Sequence, residues 1–151
     1  MTKRELYENM MLNKNGDSMI PPPALKGMDI EFIEYVEGES IKFKAPILAR
    51  YNNPGGVMFG GYFSMFFDAA FGPFSFIETQ LYSTSLDLNV TFLKPLSPKD
   101  DYIITQANLV SQSKTFLLME GKMWKADGAL VATATSRMMI LDRVVPPVVS
   151  G

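Results

Sequence analysis

Between Gly61 and Gln80 the chain is apolar on nearly every side: Tyr62, Phe63, Met65, Phe66, Phe67, Ala69, Ala70 and Phe71 follow with no period-two alternation. A run of that length reads as a buried helix rather than a strand. Gly72-Pro73 predicts a kink or an irregular turn partway along it. Such a helix cannot lie on a surface, so the remaining residues must cover it on every side.

The strand-like runs supply that cover. Ile30, Phe32 and Ile33 lead into Ile41, Phe43, Ala45 and Ile47, with Gly38 marking the turn between the two runs. Beyond the helix, Leu86, Leu88, Val90 and Phe92 alternate with Ser85, Asp87, Asn89 and Thr91, and Pro95 to Pro98 close that strand. Three further runs, at 103–111, 115–125 and 130–141, follow at meander spacing. Asp127-Gly128 predicts a hairpin with positive φ at both central positions. The fold class is therefore α+β, a curved antiparallel sheet wrapped around one long apolar helix. The 151 residues make a single domain. A weak amphipathic helix at about 2–13, with Leu6, Met10 and Leu12 on its apolar side, is an appendage. Pro21-Pro22-Pro23 forms an extended connector to a core at about 27–141, and a loose Val- and Pro-rich tail follows Asp142.

Composition narrows the chemistry. The chain has no histidine and no cysteine. This excludes a Ser-His-Asp triad, a histidine base, a cysteine nucleophile, disulfides and the usual zinc sites. With a net charge of −2 and no basic stripe, a nucleic-acid partner is not expected. The acids near the start do not suit a signal peptide, and the apolar stretch 62–77 is broken by Asp68 and Pro73. The expectation is a soluble cytoplasmic protein with no membrane partner, no metal and no cofactor.

Two features could carry chemistry. Asp68 sits in the middle of the apolar helix, where burial is costly unless paired and raises a carboxyl pKa. It reads either as a site residue or as a structural acid satisfied by backbone amides or by Ser64, one turn earlier. The second feature is the loop Asn52-Asn53-Pro54-Gly55-Gly56-Val57-Met58-Phe59-Gly60-Gly61, which feeds straight into the helix start. Free amides and the positive dipole end there suit an anion, or a carbonyl oxygen becoming one. Glycines at 60 and 61 let a ligand approach closely; the alternative is a tight connection with no ligand. No P-loop, dinucleotide fingerprint or G-x-S-x-G elbow is present. Gly61 and Asp68 are seven residues apart, on one helix face, but about 10 Å apart along the axis. One carboxylate cannot act on a carbonyl held at Gly61 of its own chain, whereas two antiparallel copies across a dimer axis would close the gap.

The run Asn53-Pro-Gly-Gly56-Val-Met-Phe59-Gly60-Gly61, followed by Asp68, resembles the active-site motif of the phenylacetic-acid-degradation-type (PaaI-like) hotdog thioesterases, N-x-x-G-x-x-H-G-G with an acid nine residues after the histidine. Ser85 to Pro95 is similar to that family's next strand, ending in F-L-x-P, and Ser113-Lys114-Thr115 and Ala126-Asp127-Gly128 match in type and order. The resemblance covers about Gly27 to Leu141. It implies a hotdog fold and an acyl-CoA thioesterase acting as a homodimer, with pairing of two dimers into a tetramer left open. CoA would enter as part of the substrate. It further implies that the Gly61 amide polarises the thioester carbonyl, where losing one such donor typically costs roughly 100- to 1000-fold in rate. Asp68 of the partner chain would be base or nucleophile, Asn53 would position the water or the carboxylate, and Ser85 would assist. Phe59 stands where the family has histidine and cannot hydrogen-bond, which also argues against the histidine-dependent hotdog dehydratases. Phe59, Gly60 and Ser64 would lie against the substrate. Lys114 and Arg137 are candidates for a CoA phosphate, and some of the Phe and Met side chains for an acyl tunnel. The competing reading is a non-catalytic acyl-CoA-binding or regulatory protein of the same fold.

Overall fold

The computed structural model describes residues 1–12 and 23–141. Six strands, β1 (Glu31–Val36), β2 (Ser40–Pro46), β3 (Ser83–Phe92), β4 (Tyr102–Gln112), β5 (Phe116–Lys125) and β6 (Leu130–Ile140), form one sheet. Its order is β1-β2-β4-β5-β6-β3, and every pair is antiparallel. Two helices accompany it, α1 (Lys3–Leu12) and α2 (Gly60–Thr79). The sheet wraps around α2, which packs on β2, β3, β4, β5 and β6.

The sheet can hold a helix this bulky because its centre is made of small residues. Ala107 on β4 pairs with Gly121 on β5, and Gly121 pairs with Ala134 on β6. Ile41 on β2 and Val90 on β3 extend this row to either side. A Cβ on Gly121 would lie 2.7 Å from the Phe67 ring and 3.0 Å from that of Phe71. Phe67 and Phe71 are fully buried against this cradle, Phe66 against Phe43 and Tyr51, and Phe74 against Tyr35, each contributing roughly 1.5–3 kcal/mol by removal from water.

α1 is tied to the far end of α2. The buried Glu78 carboxylate accepts from Lys3 Nζ (2.9 Å), the Tyr35 hydroxyl (2.7 Å) and the Gly38 amide (3.0 Å). Tyr7 stacks on Tyr35 at 4.9 Å.

Several expectations change. α2 runs unbroken through Pro73, so Gly72-Pro73 makes no irregular turn; the Gly72 carbonyl accepts from the Ser75 hydroxyl at 2.7 Å. Of the two hairpin positions only Gly128 has positive φ (+89°), because the loop closes with Gly128 N–H donating to Lys125 O and needs one left-handed residue rather than two. Pro23 opens a short 3-10 turn, Pro23–Leu25, instead of continuing an extended run; the rest of the connector and the tail after Leu141 lie outside the described residues.

The largest change concerns α2 itself, which is not covered on every side. Gly61 and Asp68 are exposed, and Ser64, Met65, Gly72 and Phe76 are half-buried. At 100° per residue these six positions form one stripe along the helix. The stripe is open because the sheet ends at β3, whose outer edge has no strand beside it among the described residues.

Candidate active site

The loop before α2 is shaped by Asn53. Its side-chain Oδ1 accepts from the amides of Gly55 (2.9 Å) and Val57 (3.3 Å), and its backbone N–H donates to Val57 O at 2.7 Å. The carbonyl half of the amide is thus committed to the turn, while the NH₂ half has no partner among the described residues. Phe59 N–H donates to Tyr51 O (2.9 Å) and Met58 N–H to Leu96 O (2.7 Å), anchoring the loop to the body of the protein. Phe59 then caps α2 with no side-chain hydrogen bond and is 51% exposed.

The amides of Gly60 and Gly61 open the helix and have no acceptor within it. The two glycines differ in their surroundings. A Cβ on Gly60 would lie 3.1 Å from the Phe92 ring, whereas a Cβ on Gly61 would meet nothing within 4 Å. Alanine would fit at 61 in the isolated chain and would favour the helix by about 1 kcal/mol. The space beside Gly61 is open in the chain.

Asp68 stands two turns further along the same stripe. It is exposed, not buried as the sequence pattern suggested, because its neighbours turn toward the sheet and it turns away. Its partner is the Ser85 hydroxyl on β3 and not Ser64. Although the residue as a whole is exposed, enough protein surrounds the carboxyl group for burial to push its pKa up, and the Ser85 hydrogen bond offsets only part of this.

How Ser85 reaches Asp68 follows from a β-bulge. Simple alternation puts Ser85 on the same side of β3 as Asp87, away from Leu88. Here Ser85 pairs with Met138, Asp87 with Arg137 and Leu88 with Ser136, and the register shifts between Ser85 and Asp87. The extra residue, Leu86, places Ser85 and Leu88 on the same helix-facing side. Asp87 fastens the bulge: its carboxylate accepts from the Arg137 amide (2.8 Å) and from Arg137 Nε (2.6 Å), and its carbonyl accepts from the Ser136 hydroxyl (2.8 Å). The two bonds from Arg137 hold the Asp87 carboxyl below its ordinary range. Arg137, expected at a CoA phosphate, is thus engaged in holding Ser85's strand. Asp87 was missed because in an alternating strand it looks like any solvent-facing acid.

Within one chain the structure brings Asp68 and Ser85 together, and it brings Asn53, Phe59, Gly60 and Gly61 together, but it keeps the two groups apart. Ser64 lies between them on the stripe, half-buried. Lys114 is exposed in the turn between β4 and β5, at the Ser85 end of the sheet, with no partner among the described residues. No cluster of acids that could hold a metal occurs among those residues, and none of their helices is long and apolar enough to cross a membrane.

Comparison with known proteins bears on this arrangement. A family model described as the thioesterase superfamily matches residues 55–132, just over half of the chain. No curated protein matches the sequence. Among solved structures, the PaaI protein of the phenylacetic acid degradation operon of E. coli superposes with a TM-score of 0.77 at 16% identity, over 95% of this chain and 99% of that one. Thioesterase HI1161 from Haemophilus influenzae gives 0.72 at 15% identity, over 80% and 84%. The smu.793 protein of Streptococcus mutans, solved bound to acetyl CoA, gives 0.70 at 18% identity, over 78% and 92%. At these identities the structural matches speak for the fold.

Proposed function

The chain belongs to the thioesterase superfamily and has its hotdog fold, and from that premise we propose that it hydrolyses an acyl-CoA, or a similar thioester, as a homodimer. Each of the two sites would combine Gly61 of one protomer with Asp68 of the other. The β3 edge, open beside the helix stripe, is the surface on which a second copy would sit. Two-fold pairing there runs the two α2 helices antiparallel and sets each Gly61 against the opposite Asp68.

In this reading the thioester carbonyl oxygen accepts from the Gly61 amide, aided by the positive end of the α2 dipole. Asp68, ionised, takes a proton from a water molecule as that water attacks the carbonyl carbon, or attacks the carbon itself. On the base route, collapse of the tetrahedral intermediate breaks the C–S bond and Asp68 returns its proton to the departing thiolate, releasing free CoA and a carboxylic acid. On the nucleophile route, collapse expels CoA and leaves a mixed anhydride on Asp68, which water then hydrolyses to the acid and the free carboxylate. Ser85 orients Asp68, and the free NH₂ of Asn53 is placed to orient the water. CoA is substrate and no other cofactor takes part; the cytoplasm is the compartment assigned.

The observation that carries the reading is the stripe itself: an open glycine amide and a carboxylate of raised pKa on the one uncovered face of an otherwise buried helix. The test is thiol release from a panel of acyl-CoAs by the wild type and by Asp68→Asn. Release by the former and near-complete loss in the latter supports it; equal rates would remove Asp68 from the mechanism. A second reading, acyl-CoA binding without turnover, is favoured by Phe59, an exposed ring where the motif has a hydrogen-bonding histidine. Tight binding with no thiol release from any member of the panel would decide for it.

A further inference from the structure

A cavity of about 370 Å³ opens beside the start of α2, bounded chiefly by Val57, Gly60, Phe63, Phe92, Leu93 and Lys94. It shares Gly60 with the opening turn of α2, so a thioester held at the Gly61 amide lies at its mouth. A second cavity of similar size, lined in part by Leu86, Phe116 and Arg137, shares no residue with that turn.

The lining decides what the first cavity can take. Four of these six side chains are hydrocarbon or aromatic. These four offer no partner to the amide groups of a pantetheine arm, for which Lys94 and backbone groups are the polar contacts in the lining. An apolar acyl group loses nothing there. The volume is at the lower end of the roughly 300–1,000 Å³ found for small-molecule pockets, which suits a short or single-ring acyl group.

Phe92 is the wall that sets this limit. Its ring stands perpendicular to Phe63 at 5.2 Å, and it occupies the space beside Gly60 that a Cβ would need. Held on those two sides, it remains 54% exposed. Phe92 lies on β3, the edge strand proposed to face the partner copy, and its ring is directed at Gly60 and Phe63 on the cavity wall.

We propose that this cavity is the acyl-group pocket and that Phe92 determines the size of the acyl group accepted; the inference rests on the thioester-hydrolase reading above. Straight-chain acyl-CoAs from acetyl to palmitoyl, together with phenylacetyl-CoA, provide the test, with wild type, Phe92→Ala and Phe92→Leu compared. Phe92→Ala should move the preferred chain to greater length, raising the ratio of kcat/KM for long over short substrates at least about tenfold, on the scale of one or more methylenes in a pocket. Phe92→Leu, which keeps the wall apolar and preserves packing, should move it less. A uniform change along the series would overturn the proposal. So would a length effect that disappears with acyl-N-acetylcysteamine thioesters, since the cavity would then hold the carrier. If the wild type releases no thiol from any substrate, the hydrolase reading fails separately. The pocket is then read from thermal stabilisation by non-hydrolysable acyl-CoA thioethers of graded length, where the same shift in Phe92→Ala supports it and no length dependence overturns it.

Discussion

The two sides of α2 come from one apolar run and do opposite work. Toward the sheet, Phe66, Phe67, Phe71 and Phe74 are sealed from water, Phe67 and Phe71 against the row of small residues Ala107, Gly121 and Ala134. Away from it, Gly61, Ser64, Asp68 and Gly72 form a stripe that packs against nothing in the chain as densely. A position on the inner side is constrained by volume. A position on the outer side is constrained by what it must leave room for or do.

The contrast breaks most sharply when one residue is changed on each side. Phe71→Ala should cost about 3–5 kcal/mol of unfolding free energy, as removal of a buried aromatic ring does. Asp68→Asn should leave stability intact while lowering kcat/KM by about 100- to 10,000-fold, the scale of a lost general base. Denaturant unfolding and thiol-release kinetics on both variants check the pair. If Asp68→Asn unfolds the protein as readily as Phe71→Ala, the outer side is structural after all.

The glycines sharpen the same comparison at smaller magnitude. Gly121→Ala drives a methyl group into Phe67 and Phe71 and should lower stability by about 1–3 kcal/mol. Gly61→Ala meets nothing in the chain and should hold or raise the melting temperature, by up to about 1 kcal/mol in free energy, while activity falls at least about tenfold as the methyl intrudes on the carbonyl's place. Thermal melts and steady-state rates separate the two.

A subtler effect is in pH. The folded Asp68 pKa is raised by burial, so between the ordinary carboxyl value, about 3.9, and the raised one the native chain binds more protons than the unfolded chain. Asp68's contribution to stability should therefore fall as pH rises through that window. Over the same window the ionised base is forming, so kcat/KM should rise. Asp68→Asn should remove this contribution to the stability slope, measured by denaturant unfolding across pH.

Much of the fold was legible because it rests on periodicity. The long helix and the strand pairs follow from runs whose spacing is hard to satisfy otherwise. The loop at Asn53 to Gly61 and the acid at 68 were visible as well, since glycines before a helix and a charge within an apolar run are local signals. What periodicity hides is departure from it. The open stripe was obscured by its aromatic neighbours, although Gly61, Ser64, Asp68 and Gly72 carry the spacing of one helix face. Alternation cannot reveal the bulge at Leu86, which sets Ser85 on the side of Asp68, nor that Asp87 binds Arg137. Gly121 gave no signal, because its reason lies in a helix far earlier in the chain.

The central claim is that each site is shared between two chains, and complementation tests it most directly. Asp68→Asn and Gly61→Val chains, each inactive alone, are co-expressed and assayed as mixed dimers. A shared site leaves one intact Gly61–Asp68 pair in every mixed dimer, and random pairing should restore about a quarter of wild-type activity. If the mixture, with mixed dimers demonstrated, stays as inactive as its parents, each chain must hold its own complete site, and the pairing of Gly61 with the opposite Asp68 is contradicted.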